Sequence, residues 1–230
     1  MIYLTGDTHT PLDISKLNTK NFPDQKQMTR NDYVIVLGDF GLLWHEDKEY
    51  RHWLKWLSEK SFTLLWIDGN HENHDWIRSL PVEHWHGGKV HRIADNILHL
   101  MRGQVFEIDG RHFLTMGGAQ STDKKFRLEG KSWWAGEVPS EVEGFEAMQN
   151  IQKIHAAGET VDYVLTHTCP RFLVSIMFAA YDNCDPTTRL LDAIHLEVMD
   201  EITGWYFGHW HEDSDLEKYH CLYERVLRLM

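Results

Sequence analysis

The sequence is poor in cysteine, and its three cysteines do not indicate a disulfide framework. Cys169, Cys184 and Cys221 are odd in number and no two of them are closely paired. Such cysteines are typical of reduced thiols, so we expect a cytoplasmic protein. Cys169 follows His167 by two residues and could act as a ligand or a nucleophile. No second cysteine stands at metal-binding spacing, so we expect a structural thiol.

Long apolar runs and an excess of positive charge are also missing. No run approaches the roughly 20 residues of a membrane helix, and we expect no signal peptide, no membrane partner and a soluble protein. The chain has 23 Lys and Arg against 35 Asp and Glu, a net charge of -12. This acidity argues against a basic groove for long nucleic acid. A small phosphate ester remains an acceptable substrate, because bound divalent cations would reverse the potential locally.

What the sequence does contain is enough apolar material for one domain. The chain is 42% hydrophobic and shows no linker, so we predict a single domain over residues 1–230. A helix is predicted between 46 and 60, where we expect the tryptophans to pack on a sheet instead of forming an exposed stacking platform. Short apolar runs predict strands at residues 2–5, 33–37, 62–67, 161–166, 205–207 and 222–229.

The order of these elements predicts parallel βαβ units. In such units ligands gather at the carboxyl ends of the strands. The dipeptide Asp109-Gly110 between two apolar runs predicts a type I′ hairpin, so the chain is not purely parallel. Capping signals predict helices over 140–158 and from 185 onward. Residues 10–30 are interpreted as a loop with a modest helix, and 81–103 as loop-rich.

Polar residues with metal-binding character follow five of the predicted strands. They supply two carboxylates, one amide oxygen and four imidazoles: Asp7, His9, Asp39, Asn70, His167, His209 and His211. Such ligands suit divalent manganese, iron, zinc, magnesium or nickel, and we expect manganese. Two such ions would leave about two net positive charges for a phosphate, once the two carboxylates are subtracted.

Each of these residues also has an ordinary structural interpretation. Asp39 could cap a helix, and Asn70 could serve only in a turn after Gly69. A lone His167 would more often be a hydrogen-bonded core histidine. His209 and His211 alternate as they would on any strand edge. It is their joint occurrence, each after its own strand, that indicates a two-metal site.

The motifs resemble those of the calcineurin-like metallophosphoesterases, and in particular the small bacterial and phage-type members. The resemblance runs from residue 4 to 211 and covers five blocks in order: Gly6-Asp7-Thr8-His9, Gly38-Asp39, Gly69-Asn70-His71-Glu72, His167 and Gly208-His209-Trp210-His211. It implies an α/β fold of the α+β type. The expected architecture is a four-layer αββα sandwich of two mixed β-sheets flanked by helices.

The resemblance also implies a role for each residue. Asp7, His9 and His211 would hold one metal ion; Asn70, His167 and His209 would hold the other; and Asp39 would bridge the two. A hydroxide between the ions would then attack the phosphate in line. His71 follows Asn70 and is the expected general acid, with orientation of a ligand as its alternative role. Glu72 is expected to support the site instead of reacting.

One departure from the family concerns the second block. Protein serine/threonine phosphatases carry Gly-Asp-x-x-Asp-Arg-Gly there, whereas this chain continues after Asp39 with Phe-Gly-Leu-Leu-Trp. The missing arginine argues against a phosphoprotein phosphatase. Residues 117–139 are predicted to shape the substrate pocket, with Lys124 and Arg127 binding the substrate and Trp133 and Trp134 stacking on a base. The alternative is a surface loop anchored by two core tryptophans.

The expected function is therefore hydrolysis of phosphate esters at two metal ions. We favour phosphodiesters of nucleotide type over monoesters, because the phosphatase arginine is absent and the aromatics suit a base. A broad phosphomonoesterase is the alternative within enzymes. A non-catalytic scaffold of the same fold is the alternative outside them, but such a protein would be expected to have lost some of these ligands, and all seven positions are intact here.

Overall fold

The computed structural model describes residues 1–178 and 185–230, and Cys184 therefore lies outside the described residues. Thirteen strands occur in the described part of the chain: β1 Ile2–Thr5, β2 Tyr33–Leu37, β3 Thr63–Ile67, β4 Val82–Trp85, β5 Gly88–Ala94, β6 Ile97–Leu100, β7 Gln104–Ile108, β8 Arg111–Met116, β9 Tyr163–Thr166, β10 Gly204–Phe207, β11 Ser214–Leu216, β12 Tyr219–Cys221 and β13 Leu227–Arg228. The α-helices of the same residues are α1 Lys48–Ser58, α2 His74–Ser79, α3 Glu141–Ala156, α4 Arg171–Met177 and α5 Pro186–Val198.

The strands form two mixed sheets. The first has seven strands in the order β13-β1-β2-β3-β6-β5-β4, and β1, β2, β3 and β6 are parallel. The second has six strands in the order β11-β12-β10-β9-β8-β7, with β12, β10, β9 and β8 parallel. The remaining strands pair antiparallel at the edges. The predicted mixture of parallel units and hairpins is confirmed.

Buried apolar side chains form three clusters, one between the two sheets and one on the outer face of each sheet. Between the sheets, Leu4 and Ile35 of the first sheet share a buried cluster with Phe113 of the second. A second cluster joins the outer face of the first sheet to Leu57 of α1, and a third joins the second sheet to helices that include Ile151 of α3. The order is helix, sheet, sheet, helix, so the predicted four-layer sandwich is confirmed.

The region 81–103 was expected to be loop-rich, and this expectation is wrong. It contains the three strands β4, β5 and β6. The glycines that suggested a loop form a tight connection between β4 and β5, where His86 (φ 48°) and Gly87 (φ 91°) adopt left-handed backbone. Gly88 packs so closely on Phe106 that a Cβ would lie 2.5 Å from the ring. The glycines thus mark a hairpin and a close contact.

The predicted final strand over 222–229 is also mostly wrong. Only Leu227–Arg228 is a strand there, and the preceding strand ends at Cys221. The cause is Asp213, whose carboxylate accepts hydrogen bonds from the backbone N–H groups of residues 223, 224 and 225 at 2.8, 3.1 and 3.1 Å. Backbone donors held by a side chain are not available to a sheet, so the segment forms a loop.

Other local predictions hold. Asp109 (φ 52°) and Gly110 (φ 73°) have the two positive φ angles of a type I′ hairpin. Ser140 and Glu143 form a reciprocal capping box at the start of α3. Residues 10–30 contain two short 3-10 helices, Ile14–Leu17 and Pro23–Gln27, in place of one modest helix. Within the described ranges, no helix combines the length and apolarity needed to cross a membrane.

Candidate metal centre

The predicted ligands lie on turns that follow the carboxyl ends of parallel strands. Strands β1, β2 and β3 lead to Asp7, Asp39 and Asn70, and β9 and β10 lead to His167 and His209. Because the strands within each sheet are parallel, their carboxyl ends bring distant parts of the chain to one edge of that sheet.

The backbone at the candidate metal centre adopts an uncommon conformation at most of the predicted ligands. Positive φ angles are rare for residues other than glycine and cluster at functional sites, where the surrounding structure holds them. Five of the seven predicted ligands have such angles: Asp7 (33°), His9 (34°), Asp39 (48°), His209 (69°) and His211 (51°). The fold therefore maintains an unfavourable backbone to aim these side chains.

Asp39 lies at the middle of the set with only 1% of its surface exposed. Its Oδ2 is 3.3 Å from Nε2 of His9, and its Oδ1 is 3.3 Å from Nε2 of His167. The backbone N–H of His71 donates to Oδ1 at 2.8 Å and fixes the carboxylate. Each oxygen thus faces a different histidine, which is the arrangement that a carboxylate shared by two ions requires.

On one side of Asp39, the ligand atoms of Asp7, His9 and His211 lie within 4.8 Å of one another. Asp7 is fully buried, and its carboxylate accepts the backbone N–H of His209 at 2.9 Å. Nδ1 of His9 lies 3.0 Å from Asp13, which leaves Nε2 directed at the centre. A carboxylate behind an imidazole is the usual device that orients a metal-binding histidine.

On the other side, His167 is fully buried and its orientation is fixed by the backbone. Its Nδ1 donates to the carbonyl oxygen of Leu37 at 2.9 Å, which leaves Nε2 directed at the centre. That Nε2 is 3.1 Å from Oδ1 of Asn70. His209 places its ring centroid 4.9 Å from that of His167, edge to face. Asp7, Asp39 and His167 also have ligand atoms within 4.8 Å of one another.

The electrostatics of the centre follow from burying two carboxylates together. Burial and the neighbouring Asp39 raise the pKa of Asp7 to about 7. Burial alone would do the same to Asp39, yet His167 and His9 outweigh it and hold its pKa well below the usual range. Although burial opposes it, Asp39 raises the pKa of His167 to about 10. Burial and His167 lower the pKa of His209 to about 3. The oxygen and imidazole donors fit divalent cations, which stabilise buried carboxylates directly.

A comparison with protein families agrees with this geometry. A sequence model described as calcineurin-like phosphoesterase matches residues 1–213 of the 230-residue chain. The chain belongs to the calcineurin-like phosphoesterase family. A comparison with curated proteins found no match. Membership of the family implies a hydrolase that acts on phosphoester bonds with divalent metals, and the buried His and Asp groups described above could bind them.

In this member of the family, His71 lies at the open side of the centre. Its ligand atom is within 4.8 Å of those of His9 and Asp39, and its ring centroid is 5.8 Å from that of His9. Burial, with a contribution from Arg127, lowers the pKa of His71, while Asp39 opposes the change. Arg127 lines the same cleft as His71 and is held by Asp123 at 2.7 Å. Both side chains are therefore near the space where a substrate would bind.

The remaining residues of the 117–139 segment lie differently from what the sequence indicated. Nζ of Lys124 is 4.0 Å from the ring centroid of Trp133, and Lys124 does not line the cleft that holds His71. Trp134 is 3% exposed and packs edge to face on Trp44 with the centroids 5.0 Å apart. The prediction that Trp134 stacks on a base is wrong, because its faces are covered by the protein.

Two supporting groups were not found from the sequence. Asn70 Nδ2 donates to Ser121, whose hydroxyl donates to the buried Glu137 at 2.6 Å. Below the first turn, the ammonium of Lys16 donates to the backbone carbonyls of Gly6 (2.9 Å), Asp7 (3.1 Å) and Tyr223. Ser121, Glu137 and Lys16 all lie outside the five sequence blocks that carry the family resemblance. For Asp13, by contrast, the sequence did hold a signal of its contact with His9, because it follows His9 by four residues, the spacing of one helical turn.

Glu72 supports the centre from behind Asp39. It is fully buried, and its Oε1 accepts the backbone N–H of Phe40 at 2.7 Å, directly after Asp39. Burial and the nearby Asp39 raise its pKa well above the usual range. Through the contact with Phe40, the Glu72 carboxyl holds the turn after Asp39 in place. This contact agrees with the supporting role expected for Glu72.

Proposed function

We propose that this chain hydrolyses phosphodiesters of nucleotide type at a centre of two divalent metal ions. The observation that carries the proposal is the position of Asp39, whose two oxygens each lie 3.3 Å from a different histidine. A buried carboxylate between two sets of oxygen and imidazole donors is suited to two cations and poorly suited to one. Family membership supports the reaction class, and the aromatic surroundings support a nucleotide.

The proposed ligands fall into two sets that share Asp39. Asp7, His9 and His211 would hold one ion, and Asn70, His167 and His209 would hold the other. Mixed oxygen and imidazole donors favour manganese, with iron, zinc, magnesium and nickel as alternatives. When bound, such a pair of ions activates water and neutralises charge on the phosphate.

The protein's own groups would position and protonate the substrate. We assign His71 as the general acid that gives a proton to the leaving oxygen, because it lies beside His9 and Asp39 but faces the cleft. Its lowered pKa makes the protonated ring a stronger acid. Arg127, on the wall of the same cleft, would bind a phosphate oxygen. Contact of Lys124 with the substrate stays a prediction.

Two further proposals concern the chain as a whole. We propose that residues 1–230 act as one domain in which 117–139 shape the pocket, supported by the apolar cluster that both sheets share and by Arg127 on the cleft wall. We propose a cytoplasmic location, supported by the free thiols Cys169 and Cys221, both of which are buried.

A direct test compares esters on manganese-loaded protein. Hydrolysis of bis-p-nitrophenyl phosphate, p-nitrophenyl phosphate and a dinucleotide is measured beside the Asp39→Asn variant. The proposal expects the diesters to be cleaved faster than the monoester, and Asp39→Asn to lose nearly all activity. Cleavage of the monoester alone would contradict the proposal and identify a phosphomonoesterase. If no ester is cleaved, a non-catalytic scaffold of the same fold becomes the better interpretation.

A further inference from the structure

A cleft of about 500 Å³ opens beside the candidate metal centre and extends away from it. His9 and His71 form its inner end, and Arg127 lies there as well. The far walls are Leu42, Trp44, Tyr50 and Trp53, which come from the loop after Asp39 and from α1. This volume is typical of pockets for small organic groups. The cleft is therefore continuous with the place where a phosphate ester would react.

The walls of the cleft are flat, apolar and held in place. Leu42 lines the cleft and is 2% exposed. Trp44 is fixed edge to face against the buried Trp134 at 5.0 Å, and Trp53 is fixed in the same way against Trp56 at 5.5 Å. Because these rings are already braced on one side, they offer their free surface to a ligand without further ordering.

The charges of the cleft select against a second anion at its outer end. Asp47 and Glu49 line the cleft next to Tyr50 and are exposed, while the lining cation Arg127 lies near enough to His71 for its charge to act on that ring. Asp47 also caps α1 through a hydrogen bond from the backbone N–H of Tyr50 at 2.9 Å. Negative carboxylates at the outer end repel phosphate, whereas an uncharged ring meets no such penalty.

We propose that this cleft binds the leaving group of the substrate, and that the leaving group carries an uncharged planar aromatic ring such as a nucleobase. The proposal rests on the proposed function, because it takes the leaving oxygen to depart on the side of the centre where His71 faces the cleft. It goes beyond that function by placing the ring against Trp44, Tyr50 and Trp53 and on the leaving side of the phosphorus.

The first test measures binding without catalysis. Adenosine is titrated into the metal-loaded protein by calorimetry, and Leu12→Trp is used to fill the mouth of the cleft. Leu12 lines the cleft with 78% of its surface exposed, so a larger side chain there does not disturb the core. Leu196→Trp is the matched control, since Leu196 is 71% exposed on α5 and away from the cleft.

The proposal expects adenosine to bind the wild type and Leu196→Trp equally, and Leu12→Trp at least tenfold more weakly. Equal thermal unfolding midpoints of the three proteins would show that folding is unchanged. Equal adenosine affinity in all three proteins, or no binding to any of them, would overturn the proposal. This result does not depend on hydrolysis, so it separates failure of the cleft from failure of the proposed function.

The second test decides which side of the phosphate faces the cleft. Methyl p-nitrophenyl phosphate carries its only ring on the leaving group, whereas bis-p-nitrophenyl phosphate carries a second ring on the group that stays. If the cleft binds the leaving group, Leu12→Trp raises KM for both esters by a similar factor. If Leu12→Trp raises KM for the bis-ester alone, the ring belongs to the other side and the proposal is wrong.

Discussion

The side-chain nitrogen of Asn70 lies 3.1 Å from the hydroxyl oxygen of Ser121 and donates a hydrogen bond to it. The hydroxyl in turn donates to Glu137, and all three residues are buried. Because Nδ2 of Asn70 is bonded to Ser121, the carbonyl oxygen Oδ1 of the same amide points to Nε2 of His167, 3.1 Å away. The pair Ser121 and Glu137 therefore fixes which atom of Asn70 faces the candidate metal centre.

Ser121→Ala should weaken the binding of one metal ion without unfolding the protein. The substitution removes the acceptor that orients the Asn70 amide, and loss of such supporting contacts costs about 10- to 100-fold in metal affinity. Manganese titration followed by calorimetry measures the two affinities separately. Thr122→Ala, an exposed neighbour, is the control. An unchanged second affinity in Ser121→Ala would show that Asn70 needs no orientation or binds no ion.

His71→Asn should slow the cleavage of poor leaving groups far more than that of good ones. An alkoxide needs a proton as it departs, so kcat for a dinucleotide should fall about 100- to 10,000-fold. Nitrophenolate leaves without a proton, so kcat for bis-p-nitrophenyl phosphate should fall much less. Steady-state kinetics on the two esters measure the difference. Equal losses would assign His71 to metal binding or orientation and contradict the role of general acid.

The free energy of unfolding should rise with pH near pH 9 because of Lys60, whose hydrogen bonds and ring contact involve none of the proposed metal ligands. Burial lowers its pKa from 10.5 to about 8; its Nζ donates to the Leu17 carbonyl at 2.8 Å and lies 3.4 Å from the Trp56 ring centroid. Between these pH values the unfolded chain holds a proton that the folded chain has lost. The free energy of unfolding therefore increases with pH, by no more than about 3 kcal/mol.

Urea denaturation at pH 7.5 and pH 10 measures this effect against Lys60→Met. The variant lacks the titrating group, so the stability of the wild type relative to the variant should increase between the two pH values. Groups that both proteins share contribute equally and cancel. A constant difference between the two proteins would show that Lys60 keeps its ordinary pKa in the folded state.

Cys169 and Cys221 should resist alkylation in the folded protein. Both are fully buried, and burial raises the pKa of each thiol. The thiolate is the reactive form, so iodoacetamide at pH 8 should modify them at least about 100-fold more slowly than in denaturant. Peptide mapping by mass spectrometry reads each site separately. Rapid labelling of either one without unfolding would contradict the packing of the second sheet's core.

The sequence was sufficient for the parts of the site that follow directly from strands. Asp7, Asp39 and His167 each end an apolar run, and parallel strands bring such ends together. The residues that orient these ligands could not be predicted. Ser121 and Glu137, which orient Asn70, lie in an irregular segment, and irregular segments have no hydrophobic periodicity from which a contact could be inferred. Lys16 was not predicted either, because no local sequence pattern indicates that a lysine is buried and donates to three backbone carbonyls.

The errors in the fold have the same physical origin. Glycines near residue 87 indicated a loop, but there they serve a tight hairpin and a close contact with Phe106. The apolar residues 222–229 indicated a strand, but the carboxylate of Asp213 takes the backbone donors that pairing needs. In both cases a tertiary contact decided between conformations that the local sequence allows equally.

Anomalous diffraction from manganese-loaded crystals tests the central claim most directly. The account predicts two anomalous peaks about 3.5 to 4 Å apart, one on each side of the Asp39 carboxylate. One would lie against Asp7, His9 and His211, and the other against Asn70, His167 and His209. A single peak, or two peaks that do not share Asp39, would contradict the account.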